Sequence, residues 1–381
     1  MKKRLFSILL ALCLLAQLFP LTASAVRLDW PHPSAHCVCG GGISNHQAMN
    51  GHTTYEGVYF TKDGKENTSG DISKMNVIRS EADLLEINHK AANNKGKTFY
   101  YYLANDVTLT KRIHVWEGCT FVICLHGHTL TCNVPGAQSA FFVMNNARLV
   151  FTDCQLSGDR GLITGDSCAA VSADETATFE LYGVSICMTS SETDGIRDIY
   201  NDPVCGIYNC GTFNMYGGKI TGNTALSGGG VDLSGGTFNM TGGEITGNTS
   251  GGGVHVNYYP GAIFKVSGTA KITDNAVKNV YLSMDTSDGK KTYAPPIEVG
   301  TLDSTASIGV TTADAGQTVA KGVSEAAAKR FNSDSSKYRL IYDSGERTLT
   351  MATAAHSAHP ICGDVNCSEH GESFSDWQGG S

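Results

Sequence analysis

Two short segments carry the residue types best suited to chemistry. The first holds Cys37, Cys39, His46 and His52; the second holds His359, Cys362, Cys367 and His370. Two thiolates and two imidazoles can close a tetrahedral site around a structural zinc ion. In the second segment the spacing His-x2-Cys-x4-Cys-x2-His lets one loop supply all four donors. In the first, Cys37 and Cys39 are separated by one residue, which in extended chain leaves the thiols too far apart to bridge each other. Disulfides within or between the segments are the alternative in an oxidising compartment. A closed four-ligand site holds structure together, so it implies no catalysis.

A third candidate is the insertion from Thr189 to Pro203, with Asp194, Arg197, Asp198 and Asp202. Two of its carboxyls, set roughly 6.5–9.5 Å apart, would suit an inverting glycosidase. Arg197 would then serve as the base of a lyase or as a clamp on an anion. A solvated acidic loop is the plainer reading. Gly96-Lys97-Thr98 resembles the tail of a phosphate loop, but Ala91 stands where the leading Gly is needed. Eight further cysteines, Cys119, Cys124, Cys132, Cys154, Cys168, Cys187, Cys205 and Cys210, lie on or beside predicted strands. They read as small interior residues with one or two bridges among them.

The element that must position any site is a repeat. Gly211-Thr212-Phe213-Asn214-Met215 returns 25 residues later as Gly236-Thr237-Phe238-Asn239-Met240, and 26 residues after that as Ala262-Ile263-Phe264-Lys265-Val266. Each copy leads to an Ile-Thr turn: Ile220-Thr221-Gly222-Asn223, Ile245-Thr246-Gly247-Asn248 and Ile272-Thr273-Asp274-Asn275. A third strand follows, Val231-Asp232-Leu233 and then Val254-His255-Val256. Alternation at period 2 puts Phe213, Met215, Val231 and Leu233 inside and Asn214 and Asp232 outside. Three short strands per repeat, in one direction, predict a stacked parallel coil in which no turn buries its own face. Asn223, Asn248 and Asn275 should stack as a hydrogen-bonded ladder at one corner, where Asn tolerates left-handed backbone.

Over residues 205–310 these lines resemble the pectin-lyase-like superfamily, especially bacterial surface proteins with Gly-Thr-Phe-Asn-Met-x-Gly-Gly-x-Ile-Thr-Gly-Asn-Thr runs. The resemblance implies an all-β, right-handed, single-stranded parallel β-helix. It says little of function, because that fold hosts lyases, hydrolases, adhesins and inert stalks. In such surface proteins a Cys/His unit precedes each β-helix, so the resemblance also implies that residues 352–381 begin a truncated tandem module.

Upstream, Phe121, Leu149, Phe179 and Phe213 are aligned positions of irregular turns. Ser80 through Ala92 reads as a helix with Ser80 as N-cap and Leu84, Ile87 and Ala91 on one face, placed to cover the open end of the coil. Ser324 to Arg330 reads as a short helix. Tyr338–Tyr342 and Arg347–Met351 form a hairpin around Asp343-Ser344-Gly345-Glu346. The organisation is therefore residues 1–25 signal peptide, 26–75 Cys/His segment and linker, 76–320 β-helix, 321–351 closing cap, and 352–381 second Cys/His unit. The signal peptide rests on Lys2, Lys3 and Arg4, an apolar run from Leu5 to Phe19, and Ala23-Ser24-Ala25. After its removal no transmembrane segment remains. Removing three basic residues leaves 25 against 36 acids, a net charge of −11, which argues against nucleic acid as a partner.

In the coil, the third strands would aim Tyr208, Asp232, His255 and Tyr281 outward as one ladder with a step of about 4.8 Å. Aromatic rings flanking a carboxylate and an imidazole can stack on sugar rings and bond their hydroxyls. The expected function is a secreted or cell-surface, adhesin-like or glycan-binding scaffold without catalysis. The alternative is a polysaccharide lyase or glycoside hydrolase on the same fold.

Overall fold

The computed structural model describes residues 76–354 apart from 137–138, 154–160, 167–168, 190–204, 226–227 and 259–260, and, before them, the strand pair Tyr59–Phe60 and Glu66–Asn67. The sequence alternation is realised as a parallel β-solenoid of about nine turns. Each turn contributes one strand to each of three faces. The first face runs through Thr98–Leu103, Thr120–Cys124, Arg148–Thr152, Thr178–Tyr182, Thr212–Met215, Thr237–Met240 and Ile263–Gly268. The second and third faces are joined in one sheet by the long strand Ser307–Thr312, whose two halves pair with Lys271–Ile272 and with Val280–Leu282. The predicted alignment holds: Leu149 sits between Phe121 and Phe179, and Phe179 beside Phe213.

Inside, the phenylalanines form a column. Phe179, Phe213, Phe238 and Phe264 stack with ring centroids 4.9, 4.5 and 4.9 Å apart and interplanar angles of 13°, 9° and 15°. All four are essentially inaccessible to solvent. Ile220, Ile245 and Ile272 form a second column in register. Burying the columns against one another is what a single turn cannot do, and it is the main stabilising contribution of the stack.

The corner ladder is present, but for a different reason from the one the sequence suggests. Asn223 Nδ2 donates to Asn248 Oδ1 at 2.7 Å, Asn248 Nδ2 to Asn275 Oδ1 at 2.8 Å, and Asn275 Nδ2 to Asn279 Oδ1 at 2.9 Å. Each acceptor oxygen also takes the backbone N–H of the preceding asparagine at 3.1 Å. The ladder ends on a carboxylate: Asn279 donates its N–H and Nδ2 to Asp334 at 2.8 and 2.7 Å. The left-handed backbone lies one residue earlier, at Gly222 (φ +68°), Gly247 (φ +65°) and Asp274 (φ +58°). The asparagines are selected for their amides, which satisfy buried corner groups, and not for αL geometry. Beyond this corner, Gly230 admits no side chain, because a Cβ there would lie 2.7 Å from Gly253 O and 3.0 Å from Asn248 Nδ2.

At the N-terminal side, helix α1 (Glu81–Ala92) buries Leu84, Ile87 and Ala91 in the same core. Ser80 is extended, but its hydroxyl makes no cap bond to the helix; it donates to Asp83 Oδ2 at 3.1 Å instead. At the other end helix α2 (Glu325–Ala328) is shorter than the sequence suggests, with Ser324 Oγ accepting Ala327 N–H at 3.1 Å. The strands Tyr338–Asp343 and Thr348–Thr353 form the hairpin, and the second of them returns antiparallel onto Thr318–Lys321. No described helix is long and apolar enough to cross a membrane. Of the described cysteines, Cys119, Cys124, Cys132 and Cys205 are buried as small apolar residues, and Cys119, Cys187 and Cys210 are free thiols; Cys154 and Cys168 lie outside the described residues.

Candidate functional site

The third face brings four predicted residues into one ladder. Tyr208 pairs in register with Asp232, Asp232 with His255, and His255 with Tyr281. Parallel pairing carries the column on through Ser172, Phe142 and His114 in one direction and to Thr311 in the other. The shape of this column differs from the expectation at its centre. Asp232 leaves the strand on the side away from the core, yet it is only 5% exposed, because Tyr208 and His255 stand on either side of it.

The polar groups of the ladder are partnered with one another. His255 Nδ1 lies 3.2 Å from Asp232 Oδ1, and Ser234 Oγ donates to the same oxygen at 3.3 Å. Ser234 and Cys210 are the polar neighbours of the Tyr208 hydroxyl. Burial pushes the Tyr208 phenol up, and the neighbouring Cys210 adds to the rise. Burial likewise raises the Cys210 thiol, so it stays protonated. Ser234 bonds the carboxylate and not the imidazole, so these residues are not wired as a serine–histidine–carboxylate relay. The rings remain partly exposed. His255 and Tyr281 stack at 5.7 Å and 16°, and Lys278 Nζ sits 3.3 Å over the Tyr281 ring. Burial lowers the Lys278 pKa. At the far end His114 stacks on Trp116 at 5.3 Å and Arg112 lies 5.6 Å over Phe142. This arrangement offers ring faces flanked by two cations and little free carboxylate.

A second cluster, on the first face, escapes sequence reasoning. Arg148 holds Glu180 through two bonds, Nε to Oε1 at 2.9 Å and Nη2 to Oε2 at 2.8 Å. The Tyr182 hydroxyl donates to Glu180 Oε2 at 3.0 Å. Tyr182 and Tyr216 stack at 4.5 Å and 12°. Glu180 is 7% exposed, and a carboxylate that deep is tolerated because charge-assisted bonds replace its water. Burial, then the Glu180 charge, raises the Tyr216 phenol. Outward ion-pair columns complete the surface: Glu244 between Lys219 and Lys271, and Glu298 between Lys265 and Lys321.

The remaining predicted site residues lie outside the described residues. These are Cys37, Cys39, His46 and His52, the insertion residues Asp194, Arg197, Asp198 and Asp202, and His359, Cys362, Cys367 and His370. Among the described residues no cluster of three or more His, Cys, Asp or Glu side chains is arranged to hold a metal. Comparison with family models, curated proteins and solved structures finds no match to this chain.

Proposed function

We propose that this protein is a secreted, right-handed β-helix of the pectin-lyase-like type that serves as a non-catalytic, glycan-binding scaffold. The observation that supports this reading is the in-register column Tyr208–Asp232–His255–Tyr281, extended by Phe142 and His114. Partly exposed rings repeated at the strand spacing can stack on successive sugars. The bond between His255 and Asp232 and the stacking of His255 on Tyr281 hold those rings in place before any ligand arrives, which lowers the ordering cost of binding. The test is a glycan array with the secreted protein, run beside polysaccharide-cleavage assays. Tyr208→Ala and Tyr281→Ala should each weaken glycan binding; Tyr281→Ala should leave the thermal midpoint nearly unchanged, while Tyr208→Ala also uncovers Asp232 and should lower it somewhat. Parent-like binding by both variants overturns the assignment to this face.

The second reading, a polysaccharide lyase or hydrolase, draws on the Arg148–Glu180–Tyr182–Tyr216 cluster. Against it, Glu180 is fully engaged by Arg148 and Tyr182. Product release abolished by Glu180→Gln in the cleavage assay would favour it. The two Cys/His units are proposed to hold structural zinc, on the strength of a two-thiolate, two-imidazole donor set in each. Elemental analysis of freshly secreted protein should find zinc near stoichiometry. A Cys362–Cys367 bridge in the mass spectrum overturns this for the second unit.

A further inference from the structure

The twelve-stranded sheet ends on an open edge. Strand Tyr338–Asp343 is its last member and pairs only with Thr348–Thr353 among the described residues. Tyr338 lies opposite Thr353, and beyond that pair Ala354 N–H donates to Lys337 O at 2.8 Å. Hydrogen-bonded pairs alternate along an antiparallel ladder, so Lys337, Arg339, Ile341 and Asp343 direct their backbone groups into the hairpin. The N–H and C=O groups of Leu340 and Tyr342 therefore point out of the sheet edge. Those of Tyr338 do so too, but its N–H already donates to Ser335 O at 3.1 Å. No Lys, Pro or bulge interrupts the strand, the devices that commonly blunt such an edge.

The side chains alternate. Leu340 and Tyr342 are half-buried against the end of the core, while Arg339, Ile341 and Asp343 are exposed, Ile341 to 47%. The exposed row thus reads cation, branched apolar group, anion. That order is its own complement when the strand direction is reversed. We propose that this edge pairs antiparallel with the same edge of a second copy of the chain, about a two-fold axis at Ile341. Ile341 then meets Ile341 of the second copy, Arg339 meets its Asp343, and by symmetry Asp343 meets its Arg339.

Backbone and side chains agree on this register. Leu340 faces Tyr342 of the second copy as a hydrogen-bonded pair, each giving its N–H to the other's C=O. The charged and isoleucine pairs are then the non-hydrogen-bonded ones, whose side chains approach most closely, with Cβ atoms about 4.5–5.5 Å apart. Asp343 Oδ1 accepts the N–H groups of Gly345 and Glu346 at 2.8 and 3.0 Å, and Oδ2 remains for the guanidinium. Moving the axis to Leu340 would set Ile341 against Arg339 and call on the Tyr338 N–H already given to Ser335. Moving it to Tyr342 would set Ile341 against Asp343. The pairing closes at two copies because the interface is isologous. Two edges of six residues bury less than about 1,200 Å², the range of transient complexes, so the dimer forms and separates with concentration.

The experiment is sedimentation velocity on the full chain across a concentration series. The parent mass should rise from one chain to two. Arg339→Glu sets like charges opposite each other in both symmetry-related pairs, and so does Asp343→Lys with the sign reversed. Each should weaken the dimer about tenfold or more. An equimolar mixture of these two variants should pair again, because every cation then faces an anion. Ile341→Lys, on the exposed row, should stay monomeric with unchanged circular dichroism. Where Asp343→Lys disturbs the turn and loses the parent spectrum, Ile341→Lys decides alone: a monomer supports the pairing and a parent-like dimer overturns it. A parent that is monomeric at every concentration overturns the proposal. So does a dimer that none of the variants weakens, which places the interface elsewhere. Two folded charge variants that fail to recover on mixing, or a parent mass that grows past two chains, overturn it as well.

Discussion

Asn248→Ala tests whether the corner ladder stabilises the coil. Asn248 Oδ1 accepts the backbone N–H of Asn223 at 3.1 Å and its Nδ2 at 2.7 Å. Asn248 Nδ2 donates to Asn275 Oδ1 at 2.8 Å and to Ile220 O at 3.1 Å. Alanine removes all four bonds. The Asn223 N–H is then left buried without that acceptor, at a cost of about 1–3 kcal/mol, and each of the other three bonds is worth about 0.5–1.5 kcal/mol net. The sum is a loss of about 2.5–7.5 kcal/mol, a large part of the ~5–15 kcal/mol that holds a typical domain folded. Urea unfolding followed by circular dichroism reads it as a lower midpoint with an unchanged slope. Asn332→Ala, at an exposed asparagine, is the control and should change stability by less than about 0.5 kcal/mol. Because neighbouring turns alone share the lost bonds, hydrogen exchange should accelerate most at Lys219–Thr221 and Glu244–Thr246. A loss below about 1 kcal/mol for Asn248→Ala would refute the argument and leave the ladder as a by-product of packing.

Three further perturbations probe other parts. Phe238→Ala removes the middle ring of a column with neighbours at 4.5 and 4.9 Å and should cost about 3–5 kcal/mol in the same unfolding assay; a cost under about 1.5 kcal/mol would mean the column collapses around the hole. Asp334 takes Asn279 N and Thr311 Oγ1 on one oxygen and Asn279 Nδ2 on the other; Asp334→Asn sets an NH2 against at least one of these donors and should lower the midpoint although the charge removed is partly exposed, and an unchanged midpoint contradicts it. The hydrogen bond from Lys265, with that from Lys321, holds the Glu298 carboxyl below the usual carboxylate range. A folded pKa below the unfolded one gives stability that is present above the unfolded value and lost as pH falls through the folded one. Glu298→Gln should therefore lower the midpoint slightly at about pH 7, by less than about 1 kcal/mol, and the gap to the parent should narrow as pH falls below the usual carboxylate range; a gap that does not narrow in acid attributes the effect to packing.

What could be read from residues alone follows from where the repeat is regular. Phe213, Phe238 and Phe264 recur at nearly constant spacing, so register and burial could be assigned directly. The asparagine stack was visible too, but the left-handed residue was assigned to the wrong position, since Gly222 and Gly247 take that geometry. Asp232 was correctly aimed away from the core, but its burial depends on the bulk of Tyr208 and His255 in adjacent turns, which alternation does not report. The Arg148–Glu180–Tyr182–Tyr216 cluster was invisible for a related reason. Arg148 and Glu180 are 32 residues apart and Tyr182 and Tyr216 are 34 apart, intervals stretched by insertions, so only the observed register joins them.

The direction of the corner amides has a consequence for how such a chain can lengthen. Every link from Asn223 to Asn279 points its donor the same way and ends on Asp334. An asparagine within this row therefore meets the same partner above and below, and only the last position needs a carboxylate. Duplicating the unit that begins at Gly211 and ends before Gly236 would insert one more identical link. Neither terminus would sense the change. The coil can thus act as a ruler whose reach is set by copy number in the gene, in steps of about 4.8 Å, while the two ends keep their own contacts.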